Sequence, residues 1–188
     1  EFKKLGIEAM VNKSVQSVDT SSSPAKVILA DGQSISAQKV LVAVGRRAVC
    51  DKETVENLKL EMDRVAIKVN RKMETNAAGV YAIGDAVATT YLAHGAFAEA
   101  EIAAVNATGG NKEMQDYNLI PRAVYTFPEV ASVGLSEAAC KEKNTAITVG
   151  KGYFRANGRA VGENETVGEI HVLRSSADNK VLGVSIVG

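Results

Sequence analysis

The sequence is short of several things, and each shortage narrows its chemistry. It has no charge excess: Lys and Arg together number 22, as do Asp and Glu. That argues against a nucleic-acid or membrane-surface partner, which would need a basic stripe. A near-neutral chain leans instead toward self-association. Two cysteines, Cys50 and Cys140, lie too far apart in sequence to read as a metal-ligand or redox pair. They read as reduced thiols of a cytoplasmic protein. No apolar run approaches the length of a membrane span, and no secretory signal is visible. There is no internal repeat and no low-complexity tract. The first residue is not Met, and Glu1–Ile7 reads as a helix end with a Gly stop, followed by a strand. Gly188 directly follows an apolar run, so both ends read as cuts through a longer protein.

What is present suits a soluble globular chain of one or two domains, since 46% of its 188 residues are apolar. Loose alternation from Glu8 to Asp19 predicts a strand. Lys26–Leu29, then Asp31-Gly32, then Ser34–Ala37 predicts a hairpin. Val40–Val44 is a continuous apolar run ending in Gly45, which suits a buried strand. Residues 48–66 read as a connection with one short helical turn. Val65–Val69 and Val80–Ile83 are strand candidates. Ala93–Ala107 is the clearest helix, with Ala96, Phe97, Ala100, Ala103 and Ala104 on one apolar face and Gly109-Gly110 as its stop. From Tyr117 onward the pattern predicts strands over Arg122–Phe127, Val130–Val133, Ala146–Phe154, Glu169–Arg174 and Val181–Val187. A short helix capped by Ser136 lies between the second and third. This part reads as an antiparallel sheet with helices on one face, an α+β arrangement.

The densest chemistry lies in Thr75-Asn-Ala-Ala-Gly-Val-Tyr-Ala-Ile-Gly-Asp85. An apolar strand runs through Gly84 and stops at a carboxylate, and a few residues later Leu92-Ala93-His94 opens the long helix. This order sets an acid beside a helix N-terminus at the carboxyl end of a strand, where open α/β sheets bind ligands. An ionised Asp85 offers acceptors to sugar or ribityl hydroxyls. The helix start offers unpaired N–H groups and partial positive charge, worth about 0.3–1 kcal/mol to an anionic atom. Taken alone, a Gly-Asp after a strand serves equally as a turn or a cap. Gly84 leaves no side chain to obstruct a ligand's approach to the backbone.

The eleven-residue stretch ending at Asp85 resembles the second flavin motif of the pyridine nucleotide–disulfide oxidoreductases. Leu92-Ala93-His94 and Tyr117-Asn-Leu-Ile-Pro-Arg-Ala-Val-Tyr-Thr-Phe-Pro-Glu-Val-Ala-Ser-Val-Gly-Leu-Ser-Glu137 resemble the dihydrolipoamide dehydrogenases of that family most closely. The likeness runs over nearly the whole chain. It implies a partial FAD/NAD(P)-binding domain plus a dimerisation domain. Residues 1–47 would be the remnant of the NAD-binding domain, 48–116 the second segment of the FAD-binding domain, and 117–188 the dimerisation domain. It implies FAD and NAD as cofactors. Asp85 would hold the ribityl chain of FAD, with Gly84 beside it. Tyr91, Leu92, Ala93 and His94 would place backbone groups near the pyrimidine side of the flavin ring, where reduced flavin carries negative charge. Gly45 would lie near the nicotinamide dinucleotide, although Ala48 stands where the family usually has Pro. As partners, the likeness implies a homodimer serving 2-oxoacid dehydrogenase or glycine cleavage complexes.

Three family features are absent from these residues. There is no Cys-x-x-x-x-Cys for exchange with a disulfide, no Gly-x-Gly-x-x-Gly for a pyrophosphate, and no His-Pro-x-x-x-Glu to protonate a thiolate. No catalytic residue and no metal ligand is therefore assigned. His94 reads as a hydrogen-bonded structural residue and His171 as a surface or cross-strand residue. The isolated chain is expected to be inactive and to hold flavin weakly or not at all. A glutathione- or mercuric-reductase type remains open as a sister activity. So does a non-catalytic dimerisation module.

Overall fold

The computed structural model describes residues 2–188. Its contacts divide the chain into two units, one ending at Gly45 and the other running Arg46–Gly188.

The first unit is a three-stranded antiparallel sheet in the order β1 (Val15–Asp19), β2 (Ala25–Leu29), β3 (Ser34–Ala37). The expected hairpin is there. Ile28 faces Ser34, Gly32 supplies the turn with φ of 85°, and the Asp31 carboxylate accepts the Gln33 N–H at 3.0 Å. The strand expected from Glu8 starts only at Val15. Asn12 takes the left-handed region with φ of 58° and breaks the extension before it. The buried strand expected over Val40–Val44 is not formed. Those residues pair with nothing among the described residues, and Val44 is 93% exposed. An apolar run becomes a strand only where a neighbouring backbone takes up its hydrogen bonds.

The second unit opens with the short helix α1 (Lys52–Asn57), whose Asp51 cap accepts the Thr54 N–H at 2.7 Å. The strand expected over Val65–Val69 contracts to a two-stranded ribbon of β4 (Met62–Asp63) and β5 (Ala66–Ile67). Val80–Ile83 is also corrected: it is extended, but its one ladder contact is an isolated bridge from Tyr81 to Glu74. Helix α2 (Ala93–Ala107) has the expected bounds and ends at Thr108 and Gly109, the latter with φ of 88°.

The face α2 buries is not the alanine stripe. It is Gly95, Glu99, Ile102 and Asn106, spaced four, three and four apart, whereas Phe97 is 75% exposed. That spacing is a helical stripe, and polar groups were buried on it because each found partners. Ile102 packs with Met73 and Met114 into a core that Tyr81, Ile83 and Tyr117 line. Asn106 binds the Lys72 and Lys112 carbonyls at 3.0 and 2.8 Å and accepts the Lys112 N–H at 2.7 Å. Arg71 donates to the Met114 and Gln115 carbonyls and so closes the other end of the same core.

The remainder is a five-stranded antiparallel sheet ordered β6 (Arg122–Val124), β7 (Val130–Gly134), β10 (Val181–Val187), β9 (Glu169–Ser175), β8 (Ile147–Tyr153). Helix α3 (Glu137–Glu142), capped by Ser136, connects β7 to β8 and inserts the fully buried Cys140. A five-residue helix α4 (Gly158–Gly162), absent from the sequence reading, lies between β8 and β9. Its signal is Asn157, whose side chain accepts the Arg159 and Ala160 N–H groups. The glycines bounding it mask any helical pattern. The mixed α/β and α+β class is as expected. Among the described residues no helix is long and apolar enough to cross a membrane.

Candidate functional site

The extended residues 80–83 deliver the chain into a single turn of 3-10 helix at Gly84–Ala86. Gly84 has φ of 67°, and a Cβ placed there would meet the Ala96 Cβ at 3.2 Å. Glycine is thus required by the backbone and by the close approach of α2. The Gly84 carbonyl accepts the Val87 N–H at 3.0 Å, and its N–H donates to Glu99 Oε2 at 2.6 Å. Both polar groups of its backbone are therefore occupied by protein. The next residue, Asp85, is exposed, and its carboxylate has no hydrogen bond or ion pair among the described residues.

The chain then crosses to α2 through Ala88 and Tyr91, which hold left-handed φ values of 55° and 52°. For residues with a Cβ these cost about 1 kcal/mol or more each, so tertiary bonds must fix the loop. Leu92 is the N-cap and has no side-chain oxygen to give; no side chain caps the first turn of α2. The first N–H groups of the helix, beginning at Ala93, are left for solvent or a ligand. His94 does not face that opening as a free base. Its Nε2–H donates to the Pro121 carbonyl and fastens the helix start to the chain entering β6. This agrees with the structural role expected for it.

The turn, the loop and the helix start thus bring Gly84, Asp85, Tyr91, Leu92, Ala93 and His94 into one continuous stretch of the second unit. Gly45 closes the first unit with φ of 116° and open space around it, so its conformation, not a contact, demands glycine.

Three residues at this site were missed in the sequence. Glu99 is wholly buried. Besides the Gly84 N–H, its carboxylate accepts the Thr89 hydroxyl and, at 2.9 Å, the Tyr117 hydroxyl. Burial first, and then the Glu99 carboxylate beside it, push the Tyr117 hydroxyl up to about 12. The signal available was Glu99's place in the stripe of Gly95, Ile102 and Asn106.

A cleft of about 490 Å³ is bounded on one side by Val87, Ala88, Thr89 and Tyr91. Arg46, Arg47, Arg64 and Lys68 also line it, with Asp63 as the one acid. An anionic group there would find cationic partners. His171, across the sheet, sits between Glu137 Oε1 at 3.5 Å and Glu169 Oε1 at 3.2 Å, the latter out of line for a hydrogen bond to the buried Nε2. Among the described residues no group of three or more His, Cys, Asp or Glu could hold a metal ion.

Two family profiles match. Pyridine nucleotide-disulphide oxidoreductase covers residues 1–100, and the dimerisation domain of the same family covers 120–188. The dihydrolipoyl dehydrogenase of Bacillus subtilis (strain 168) is 36% identical over 190 residues, which is 99% of this chain and 40% of that protein. The mitochondrial dihydrolipoyl dehydrogenase of Sus scrofa is 40% identical over 155 residues, 82% of this chain and 30% of that protein. The chain thus spans well under half the length of the curated relatives it matches. Among solved structures, LpdA from Mycobacterium tuberculosis superposes with a TM-score of 0.88 at 23% identity, over 100% of this chain and 41% of that one. The HOCl-induced flavoprotein disulfide reductase RclA from Escherichia coli gives 0.85 at 20%, over 98% and 43%. At these identities the two structures speak for the fold alone.

Proposed function

Because this chain belongs to the pyridine nucleotide–disulphide oxidoreductase family, we propose that it builds one wall of an FAD pocket in a dihydrolipoamide dehydrogenase. The activity is oxidation of dihydrolipoamide with NAD+, through a redox disulfide and FAD. The observation that carries this reading is the exposed, unpartnered Asp85 carboxylate on a turn packed against α2, whose first N–H groups no side chain caps.

The residues fit a flavin dinucleotide. Asp85 presents two acceptor oxygens to ribityl hydroxyls. The Tyr91–His94 backbone brings donors and the positive end of the α2 dipole to an electron-rich ring edge. Arg46, Arg47, Arg64 and Lys68 give counter-charge to a diphosphate. FAD, when bound, supplies the electron transfer between a thiol pair and a nicotinamide. This chain's residues bind and orient it, and none of them is assigned a proton-transfer step. In this reading residues 1–47 close an NAD-binding domain, with Gly45 near the dinucleotide. Residues 48–116 belong to the FAD-binding domain and 117–188 to the dimerisation domain. The protein is a cytoplasmic homodimer that serves 2-oxoacid dehydrogenase or glycine cleavage complexes. The 188 residues alone transfer no electrons and hold flavin weakly.

The test is substrate turnover by the full-length protein carrying this sequence. Dihydrolipoamide-dependent reduction of NAD+ is expected, from a yellow protein absorbing near ~450 nm as oxidised flavins do. Turnover of oxidised glutathione or mercuric ion in its place would move the protein to a sister branch. A colourless protein that no added FAD restores would defeat the flavin reading. One observation favours a second, compatible role in self-association: Tyr125 and Phe127, just beyond β6, are 86% and 79% exposed. Sedimentation across a concentration series tests it, and a strict monomer refutes it.

A further inference from the structure

Asp85 is held by none of its own side-chain bonds, yet a pocket needs it aimed. We propose that the buried Glu99 carboxylate is the positioning residue for Asp85, and through it for flavin affinity; this rests on the flavin reading above.

The carboxylate grips the loop at both ends. Oε2 takes the N–H of Gly84, the residue immediately before Asp85, and Oε1 takes the hydroxyl of Thr89, just past the left-handed Ala88. The segment that carries Asp85 is therefore stretched between two anchor points on one side chain. That side chain projects from the second turn of α2, the helix whose start forms the other half of the site. One rigid element thus sets both the acceptor and the donors. Tyr117 adds a third bond to the carboxylate, the second on Oε1, and links the clamp to the chain leading into β6. Three donors around a carboxylate of zero exposure explain why a glutamate is tolerated on the buried stripe of α2. Apolar packing at that place would supply burial but no acceptor for the Gly84 N–H. Glu99 itself touches no ligand in this scheme.

A double-mutant cycle on FAD affinity tests it, using apoprotein prepared from the full-length protein. Asp85→Ala and Glu99→Gln are made singly and together. Glutamine can keep its oxygen on the Gly84 N–H only by turning its NH2 toward the Thr89 and Tyr117 hydroxyls, which must then accept instead of donate, and in either orientation the charge that strengthens both anchors is lost. Glu99→Gln is expected to weaken FAD binding by about tenfold or more, the usual scale for a lost charge-assisted bond. The double variant is expected to bind FAD no more weakly than Asp85→Ala alone. Additive losses, or a Glu99→Gln protein with unchanged FAD affinity, overturn the positioning role while leaving the flavin reading intact. If Asp85→Ala itself leaves FAD affinity unchanged, the flavin reading fails and this inference fails with it. Should Glu99→Gln not fold, Thr89→Val removes one anchor while keeping the carboxylate bonded to Gly84 and Tyr117. The same non-additivity with Asp85→Ala is then expected at smaller amplitude, and additivity refutes it.

Discussion

Replacing Gly84 by alanine separates two reasons for having glycine before the carboxylate. One is room for a cofactor to approach; the other is the fold. The structure gives the second a magnitude. At φ of 67° an L-residue costs about 1 kcal/mol. The new Cβ would also sit 3.2 Å from the Ala96 Cβ, inside the 3.5–4.0 Å optimum for carbon pairs. Ala96 cannot rotate away. Its helix is tied to the same loop by Glu99 and to the core by Ile102. Relief requires a shift of a few tenths of an ångström, adding about 1 kcal/mol, for a total of about 2 kcal/mol. Ala96→Gly removes the contact but not the φ penalty, and by itself costs about 1 kcal/mol of helix propensity. In the Ala96→Gly background, Gly84→Ala should therefore cost about 1 kcal/mol rather than about 2. Hydrogen exchange over peptides spanning residues 80–107 reads these values as local opening free energies, in protein stripped of cofactor. An equal cost of Gly84→Ala in both backgrounds would refute the close approach. A neutral Gly84→Ala would refute the left-handed turn as well, and would leave cofactor clearance as the only reason for the glycine.

Tyr117→Phe leaves Glu99 Oε1 with the Thr89 hydroxyl alone and should destabilise the protein by about 1–3 kcal/mol in urea unfolding at neutral pH. Because the Tyr117 hydroxyl is raised from 10.0 to about 12, the folded state holds its proton more tightly than the unfolded chain. That contribution is complete below pH 10 and is lost as pH rises through 12. With the side chain only partly buried and so partly screened by solvent, it amounts to about 1 kcal/mol, so the wild-type minus Phe difference should shrink over that window; a flat difference refutes the coupling. In the sheet, a Cβ on Gly183 would run into the carbonyl oxygen and N–H of Leu135, where β10 passes β7. Gly183→Ala should cost about 2 kcal/mol or more, seen as a lowered melting temperature, and an unchanged one would refute that close crossing.

The elements legible in the sequence are those whose signal is local. The β2–β3 hairpin follows from Asp31-Gly32, α3 from the Ser136 cap, and α2 from its glycine stop and continuous helix-forming run. Val40–Val44 and Val80–Ile83 were misjudged because a strand belongs to its neighbours as much as to itself. Their hydropathy states that they can be buried, and nothing in it states what lies beside them. The exposed place of Asp85 on a turn ahead of α2 was legible because a carboxylate after an apolar run and a glycine stands out against its surroundings. Glu99 was not, for a related reason. On a helix rich in alanine a glutamate reads as the solvent side, since burying a carboxylate without partners costs several kcal/mol. Its partners are a backbone N–H fifteen residues earlier, a hydroxyl in the loop and a tyrosine beyond the end of the helix. No window of helical length contains them all. What the sequence did carry was the conflict between the alanine face and the stripe of Gly95, Glu99, Ile102 and Asn106. Two faces competed, and the side that could satisfy its polar groups was buried. The polar residues on a helix's buried stripe are then the ones that fix its rotation. In α2, that rotation sets where the loop bearing Asp85 can attach.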